Sequence, residues 1–178
     1  MVEFWIPEES SGEIVAVNQL EAAPVQSAMA RWQALKGATR FPPSPDGVLA
    51  VVPGNAILVR VMDEGNDYEY RSVGAALVAG FGEDFSGRRL SDIIAVTPRF
   101  GIGLRMLYEM VRSSGEPLCY RGWVGADMPG ALFVYYESAV LPFGQDETRD
   151  ETKVDHILVV SMLVLRDQDH AIHDGRLL

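Results

Sequence analysis

The stretch 68–94 constrains the fold of this chain more than any other part of it. It begins with the alternation of a β-strand, because Tyr68, Tyr70 and Ser72 would share one face. Gly74 then breaks the pattern, and short apolar pieces follow, separated by Gly80, Gly82 and Gly87. A strand that gives way to short helical turns fits neither a simple hairpin nor one long helix. The chain is therefore expected to mix strands and helices within one domain.

The flanking segments supply the other elements of that domain. An apolar period of three predicts a helix over 27–36 with Ser27 as its N-cap. Thr97 and Pro98 predict the start of a longer helix that runs to Ser114. Alternating or apolar runs predict five strands, over 55–62, 68–73, 118–124, 131–141 and 154–165. We expect an α+β domain with a five-stranded antiparallel sheet, helices on one of its faces, and an N-terminal extension and helix.

Charge and composition narrow the range of partners. The 178 residues include 25 acidic and 15 basic side chains, which gives a formal net charge of -10. Such a surface repels nucleic acid and anionic membrane, so neither is an expected partner. The apolar run 157–165 is far shorter than the roughly 20 residues that span a bilayer. The chain has one cysteine, Cys119, which allows no intramolecular disulfide and fits a cytoplasmic location.

Several short motifs occur in order between residues 28 and 165. They are Trp32 with Leu35, Arg40 with Pro42, Tyr70-Arg71 with Gly74, Phe81-Gly82, Ser86-Gly87-Arg88, Tyr136-Glu137 and Leu141-Pro142. In this order the chain resembles the PAS-like domains of small bacterial stand-alone PAS proteins. The resemblance implies a sensory or regulatory module without known catalysis, often dimeric, with a small-molecule pocket between sheet and helices. It divides the chain into an extension at 1–27, a PAS-like domain at 28–166 and a polar tail at 167–178.

Seven residues are candidates for lining such a pocket. Arg71 and Glu137 lie in apolar strand contexts, and we expect them to form a bidentate pair across the sheet, unless both point to solvent. Arg88 follows the glycine-rich turns and could line the pocket or bond a helix end. Aromatic side chains with a polar tip suit both packing and ligand orientation. These are Tyr108, Tyr120, Trp123 and Tyr136.

The sequence gives little support for the cofactors that PAS domains are known to bind. Haem-binding members usually offer a histidine from the long helix, and 97–114 contains none. Flavin photosensors carry their reactive cysteine on an earlier helix, whereas Cys119 falls in or beside a predicted strand. No Ser-His-Asp or Cys-His arrangement can be assembled either. The cofactor therefore stays unknown, and we do not expect an enzyme.

Three functional hypotheses follow. The first is a stand-alone PAS-like signalling module that binds a small molecule, a signalling protein or both, and forms a homodimer. Its dimer interface would use apolar residues of the leader and first helix: Phe4, Trp5, Trp32 and Leu35. The second is a small-molecule-binding protein or enzyme on a similar curved sheet, with Arg71, Glu137 and His156 as its polar groups. The third is a structural adaptor with a filled core.

Overall fold

A computed structural model of the chain describes residues 7–128, 130–144 and 153–166, and the backbone of 172–173 and 176–177. Its main feature is a six-stranded antiparallel sheet in the order β1-β4-β5-β6-β2-β3. The strands are β1 Ser11–Val15, β2 Ala56–Met62, β3 Asp67–Val73, β4 Leu118–Trp123, β5 Phe133–Phe143 and β6 His156–Leu165. A two-residue pair, β7 Ile172–His173 and β8 Arg176–Leu177, lies apart from this sheet.

The described residues also form five α-helices, besides three short 3-10 turns. They are α1 Ala23–Lys36, α2 Asp46–Leu49, α3 Ala75–Phe81, α4 Leu90–Val96 and α5 Pro98–Ser114. The predicted break after the first hairpin is confirmed, because α3 follows β3 after Gly74, and the eight residues 82–89 then separate it from α4. Gly82 ends α3 in the left-handed region at φ 79°, a conformation that favours glycine.

The helices cover both faces of the sheet, which corrects the expectation that they lie on one. Strand pairs place Glu137, Ala139 and Leu141 on one face, since residues alternate along β5. The backbone just before α1 bonds to Glu137, and α1 runs over β5 and β6 on this side. Helices α3, α4 and α5 pack on the opposite face, where Tyr68 and Tyr70 meet them. We call these the α1 face and the α5 face.

The N-terminal part of the domain differs from its expected layout. Five strands were predicted, but residues 11–15 add a sixth, β1, which pairs with β4 from Ser11↔Trp123 to Val15↔Cys119. Helix α1 begins at Ala23 rather than Ser27, so Ser27 is not its N-cap. Pro24 lies in the first turn, where a missing N–H costs no helical bond.

The Tyr136 side chain lies very close to glycines on β1 and β4, at positions where only a residue without a Cβ fits. A Cβ on Gly122 would overlap the carbonyl oxygen of Ser11 and the Tyr136 ring, and a Cβ on Gly12 would lie 2.8 Å from the Tyr136 hydroxyl. The Tyr136 side chain therefore crosses over two neighbouring strands at their glycines. Its hydroxyl also donates to the Ser11 carbonyl at 3.4 Å.

Candidate functional site

The sequence-predicted pocket residues do not converge on one cavity. Tyr108 on α5, and Tyr120 and Tyr136 on β4 and β5, meet on the α5 face. Glu137 and Trp123 lie on the α1 face, the latter packed against Tyr135 with ring centroids 5.0 Å apart. The two arginines, Arg71 and Arg88, sit at the outer edge of the molecule.

Aromatic rings pack on the α5 face in two series of contacts, which meet at the hydroxyls of Tyr70 and Tyr108. Tyr68 packs on Tyr108 with centroids 5.1 Å apart, and Tyr70 meets Phe85 edge-on at 4.9 Å. The series continues at centroid distances of 5.5, 5.6, 6.3 and 5.7 Å through Phe85–Phe81, Phe81–Phe133, Phe133–Tyr136 and Tyr136–Tyr120. Edge-to-face contacts of this kind stabilise a packed core. These residues thus form packing where the resemblance implies a ligand pocket.

Hydroxyl groups are interspersed among these rings. The Tyr70 and Tyr108 hydroxyls are 3.4 Å apart, and those of Ser138 and Ser161 are 2.7 Å apart. Burial raises the pKa of Tyr108 well above its ordinary value, and it raises the pKa of Tyr120 to about 12. Both phenols therefore stay protonated at neutral pH and act as hydrogen-bonding groups rather than bases.

One ionic cluster closes the end of this interior. The Tyr68 hydroxyl donates to the Glu109 carboxylate, which also accepts from Arg112 Nη2 at 2.8 Å. The hydrogen bond from Arg112 lowers the pKa of Glu109, so this carboxylate stays ionised. Burial raises the pKa of Tyr68, and the hydrogen bond to Glu109 is the next largest cause of that rise. The cluster fastens α5 to β3.

Glu137 has a role that sequence reasoning missed. Its side chain is fully buried, and its carboxylate accepts the backbone N–H of Ala22 at 2.7 Å and of Glu21 at 3.0 Å. These two groups lead into α1, whose N-cap Ala22 has no side chain that could accept a bond. A carboxylate at this position satisfies orphan donors and complements the helix dipole. Glu137 therefore anchors α1 to the middle of the sheet.

The predicted pair of Arg71 and Glu137 is wrong. Arg71 is half-exposed on β3 and bonds Glu69 at 3.1 Å, whereas Glu137 lies on β5. Two further strands, β2 and β6, separate them. Arg88 similarly makes an exposed ion pair with Glu83 at 3.1 Å and lines no interior. Exposed pairs of this kind contribute little to stability.

Two of the four residues predicted for a dimer interface, Trp32 and Leu35, pack against the domain itself. Trp32 is buried under α1, where its Nε1 donates to the Pro142 carbonyl at 2.9 Å. Leu35 is partly buried beside Gly47 and packs on the core. The Trp32 side chain is therefore not exposed to a partner. Phe4 and Trp5 lie outside the described residues.

An apolar stripe on α5 was not anticipated. The buried face of this helix packs on the core through four residues: Leu104, Leu107, Tyr108 and Val111. The opposite side of the same helix exposes Ile102, Met106 and Met110, which we call the α5 stripe. Their spacing of four residues was visible in the sequence and could have revealed a second apolar face.

A shallow hollow adjoins one end of this stripe. It has a volume of about 520 Å³ and lies between the end of β1, the last turn of α5 and the start of β4. Val111 and Leu118 are buried at its base, while Ile14, Val17 and Met110 are exposed at its rim. The hollow is mainly apolar and open to solvent.

Two further titratable groups occupy structural positions. Burial and, to a smaller extent, the nearby charge of Glu137 raise the pKa of the Cys119 thiol to about 11. The thiol therefore stays protonated at neutral pH. Burial lowers the pKa of His156 at the start of β6. Among the described residues, neither Cys119 nor His156 has a side-chain hydrogen bond to a group that could act with it as a nucleophile–base pair.

The described residues hold no group of three or more His, Cys, Asp or Glu side chains arranged for a metal ion. Within the same ranges no helix combines the length and apolar character needed to cross a membrane. Comparison of the chain with protein-family models, with curated proteins and with solved structures gives no match.

Proposed function

We propose that this chain is a PAS-like regulatory module that acts by associating with protein rather than by catalysis. The order of its elements supports the proposal. Setting β1 and the short α2 aside, α1 is followed by the β2–β3 hairpin, two short helices, the long α5 and three antiparallel strands. The motifs that carry the resemblance to PAS-like domains lie on or between these elements, in the same order.

The observation that carries the proposal is the contrast between interior and surface. Between the sheet and α5, Tyr68 packs on Tyr108, and a separate series of ring contacts runs from Tyr70 to Tyr120, so aromatic side chains pack in the region where the resemblance implies a ligand. On the outer side of α5, three large apolar residues are exposed in a row. Contiguous exposed apolar surface typically marks a site of protein interaction. A packed core with an apolar outer helix therefore favours signalling through contacts.

The chemistry of the polar groups favours the same proposal. The interior phenols of Tyr108 and Tyr120 are held protonated, and the carboxylate of Glu137 is engaged by backbone N–H groups. These groups are used by the fold, whereas a general base must be free to accept a proton near neutral pH. A cytoplasmic location is part of the proposal, supported by the single buried cysteine.

A second candidate function is binding of a small apolar molecule in the hollow beside β1. Its volume of about 520 Å³ favours this reading, because ligand pockets usually measure about 300–1,000 Å³. The hollow differs from the pocket implied by the resemblance, since it opens at the sheet edge rather than inside the domain.

Native mass spectrometry of the protein purified from its own host tests both candidates. Association predicts complexes whose mass is the sum of whole protein chains. An additional small mass on each protomer, absent after denaturation, would contradict the proposal and favour the second candidate. Val17→Arg supplies the control, because Val17 lines the hollow and lies outside the α5 stripe. A ligand in the hollow would be lost from this variant.

A further inference from the structure

The two outer strands of the main sheet differ in how their free edges are covered. Beside β3, the backbone of 87–89 covers the edge, since the Tyr70 N–H donates to the Arg88 carbonyl at 3.0 Å. At the opposite edge, β1 pairs only with β4 among the described residues, and positions 11–14 are exposed. An open edge of this kind is a template for an added strand.

The outward-pointing backbone groups of β1 follow from one inward contact. The Ser11 carbonyl points inward, because it accepts a hydrogen bond from the Tyr136 hydroxyl of β5 at 3.4 Å. Backbone groups alternate in direction along a strand, so those of Gly12 and Ile14 point away from β4. These two residues therefore present two N–H donors and two carbonyl acceptors along the edge.

Side chains cap the outward N–H groups on either side of these two residues. The Ser10 N–H donates to Asp127 Oδ1 at 2.7 Å, and the Ala16 N–H donates to Gln19 Oε1 at 2.9 Å. Both capped residues lie an even number of positions from the open ones, as the alternation requires. The structure thus closes the two ends of the edge and leaves its middle open within the described part of the chain.

A second copy of β1 is a poor occupant of this edge. The only antiparallel register that uses both open residues of each chain pairs Gly12 with Ile14 of the other copy. Glu13 then lies directly opposite Glu13, and like charges in that position destabilise a strand pair. The net charge of -10 adds to the repulsion. The edge therefore favours a strand from a different protein.

The side chains of β1 indicate the composition of that strand. Ile14 is 60% exposed on the α5 face, at the rim of the apolar hollow of about 520 Å³. Glu13 lies on the α1 face with 62% of its side chain exposed, and it bonds Arg121 at 2.8 Å. A carboxylate can accept further donors beyond one arginine. An apolar residue facing Ile14 and a basic residue facing Glu13 would match these surroundings.

We propose that the open edge of β1 binds an extended, antiparallel segment of a partner protein in which apolar and basic residues alternate. Its backbone pairs with Gly12 and Ile14, its apolar side chains lie beside the hollow, and a basic side chain meets Glu13. In strand addition of this kind, backbone hydrogen bonds give affinity and alternate side chains give specificity. The inference rests on the proposed role in protein association and assigns it a site and a partner chemistry.

The capped peptide TIKIKIT tests the site, with hydrogen exchange of the full chain as the measurement. At ten times its dissociation constant, the peptide should slow exchange of the Gly12 and Ile14 amides about tenfold. The Glu13 amide should change little, because it already points toward β4. N-methylation of the peptide isoleucines should abolish binding, since their N–H groups face β1. N-methylation of its lysines should preserve binding, since those N–H groups point to solvent.

Variants of the protein separate the backbone contribution from the charge contribution. Ile14→Pro removes one outward N–H and should raise the dissociation constant of TIKIKIT about tenfold relative to Ile14→Thr, which keeps it. Glu13→Lys should weaken TIKIKIT about tenfold and strengthen the peptide TIEIEIT. Glu83→Lys is the matched control, because Glu83 is an exposed side chain paired with Arg88 at the opposite edge. Circular dichroism verifies that each variant is folded.

The contrary outcomes are distinct from one another. Unchanged exchange at Gly12 and Ile14 in millimolar TIKIKIT would overturn strand addition. Protection of both amides without peptide, in a wild type that sediments as a dimer, would assign the edge to a second copy and overturn the proposed partner. A retained small molecule in native mass spectra would instead contradict the proposed function, so the two failures are distinguishable.

Discussion

The anchoring of α1 by Glu137 gives a quantitative prediction. Glu137→Gln keeps the size of the side chain and removes its charge. Hydrogen bonds to a charged group contribute about 1.5–3 kcal/mol each, against about 0.5–1.5 kcal/mol for neutral ones. The carboxylate accepts two N–H groups, from Glu21 and Ala22, so the lost charge alone costs roughly 2 kcal/mol.

The new amide adds a second penalty. Glu137 Oε2 lies 3.1 Å from the backbone nitrogen of Glu21, and a Gln NH₂ placed there would set donor against donor. A buried unsatisfied donor costs about 1–3 kcal/mol. Added to the roughly 2 kcal/mol for the lost charge, this lowers the free energy of unfolding by about 3–5 kcal/mol. For a chain of this size, about 3 kcal/mol lowers the melting temperature by roughly 6–12 °C.

Urea unfolding followed by circular dichroism measures this loss, and hydrogen exchange locates it. The amides of Glu21 and Ala22 should exchange faster in Glu137→Gln. Glu13→Gln is the control, because Glu13 is an exposed side chain paired with Arg121, and surface changes of this kind usually stay within about 0.5 kcal/mol. An unfolding midpoint for Glu137→Gln equal to that of the control would refute the anchoring argument.

Three further measurements test other parts of the structure. Gly101→Ala should destabilise the protein, because its Cβ would lie 2.9 Å from the Ile94 Cα. Gly103→Ala should instead stabilise α5 by about 0.5–1 kcal/mol, because a Cβ there meets open space. Equal unfolding midpoints for the two variants would contradict both expectations. Cys119 should react slowly with an aromatic disulfide reagent at pH 8 and rapidly in urea, since burial raises the pKa of its thiol to about 11; fast native labelling would disprove this. Burial lowers the pKa of His156 in the folded protein, so its stabilising contribution is complete above about pH 6.5 and is lost as pH falls through the folded pKa. Wild type should therefore lose more stability than His156→Gln between pH 7 and 5.5, and parallel losses would count against it.

Local patterns predicted most of the elements. Thr97-Pro98 located α5 to the residue, and the hairpin of β2 and β3 was placed within one residue at each end. These features depend on neighbours in the chain, which the sequence displays directly. The start of α1 was missed because its capping group, Glu137, comes from a distant strand. No rule of local spacing could have located it.

The candidate site was harder to predict than the fold. Tyr108, Tyr120 and Tyr136 lie near one another on the α5 face, but the sequence could not show how their rings pack there. Arg71 and Glu137 both matched strand motifs, yet the sheet order separates them by two strands. That order arises from long-range pairing, and a single sequence contains no direct record of it.

The position of β6 has a consequence for synthesis on the ribosome. This strand lies between β5 and β2, and it pairs Ala56 with Val160 across about a hundred residues of chain. The β2–β3 hairpin emerges early but lacks its inner neighbour until residues 156–165 have left the exit tunnel. Such non-local pairing slows folding and leaves strand edges exposed in the nascent chain. The central sheet is therefore completed only after β6, the last of its six strands in chain order, has been translated.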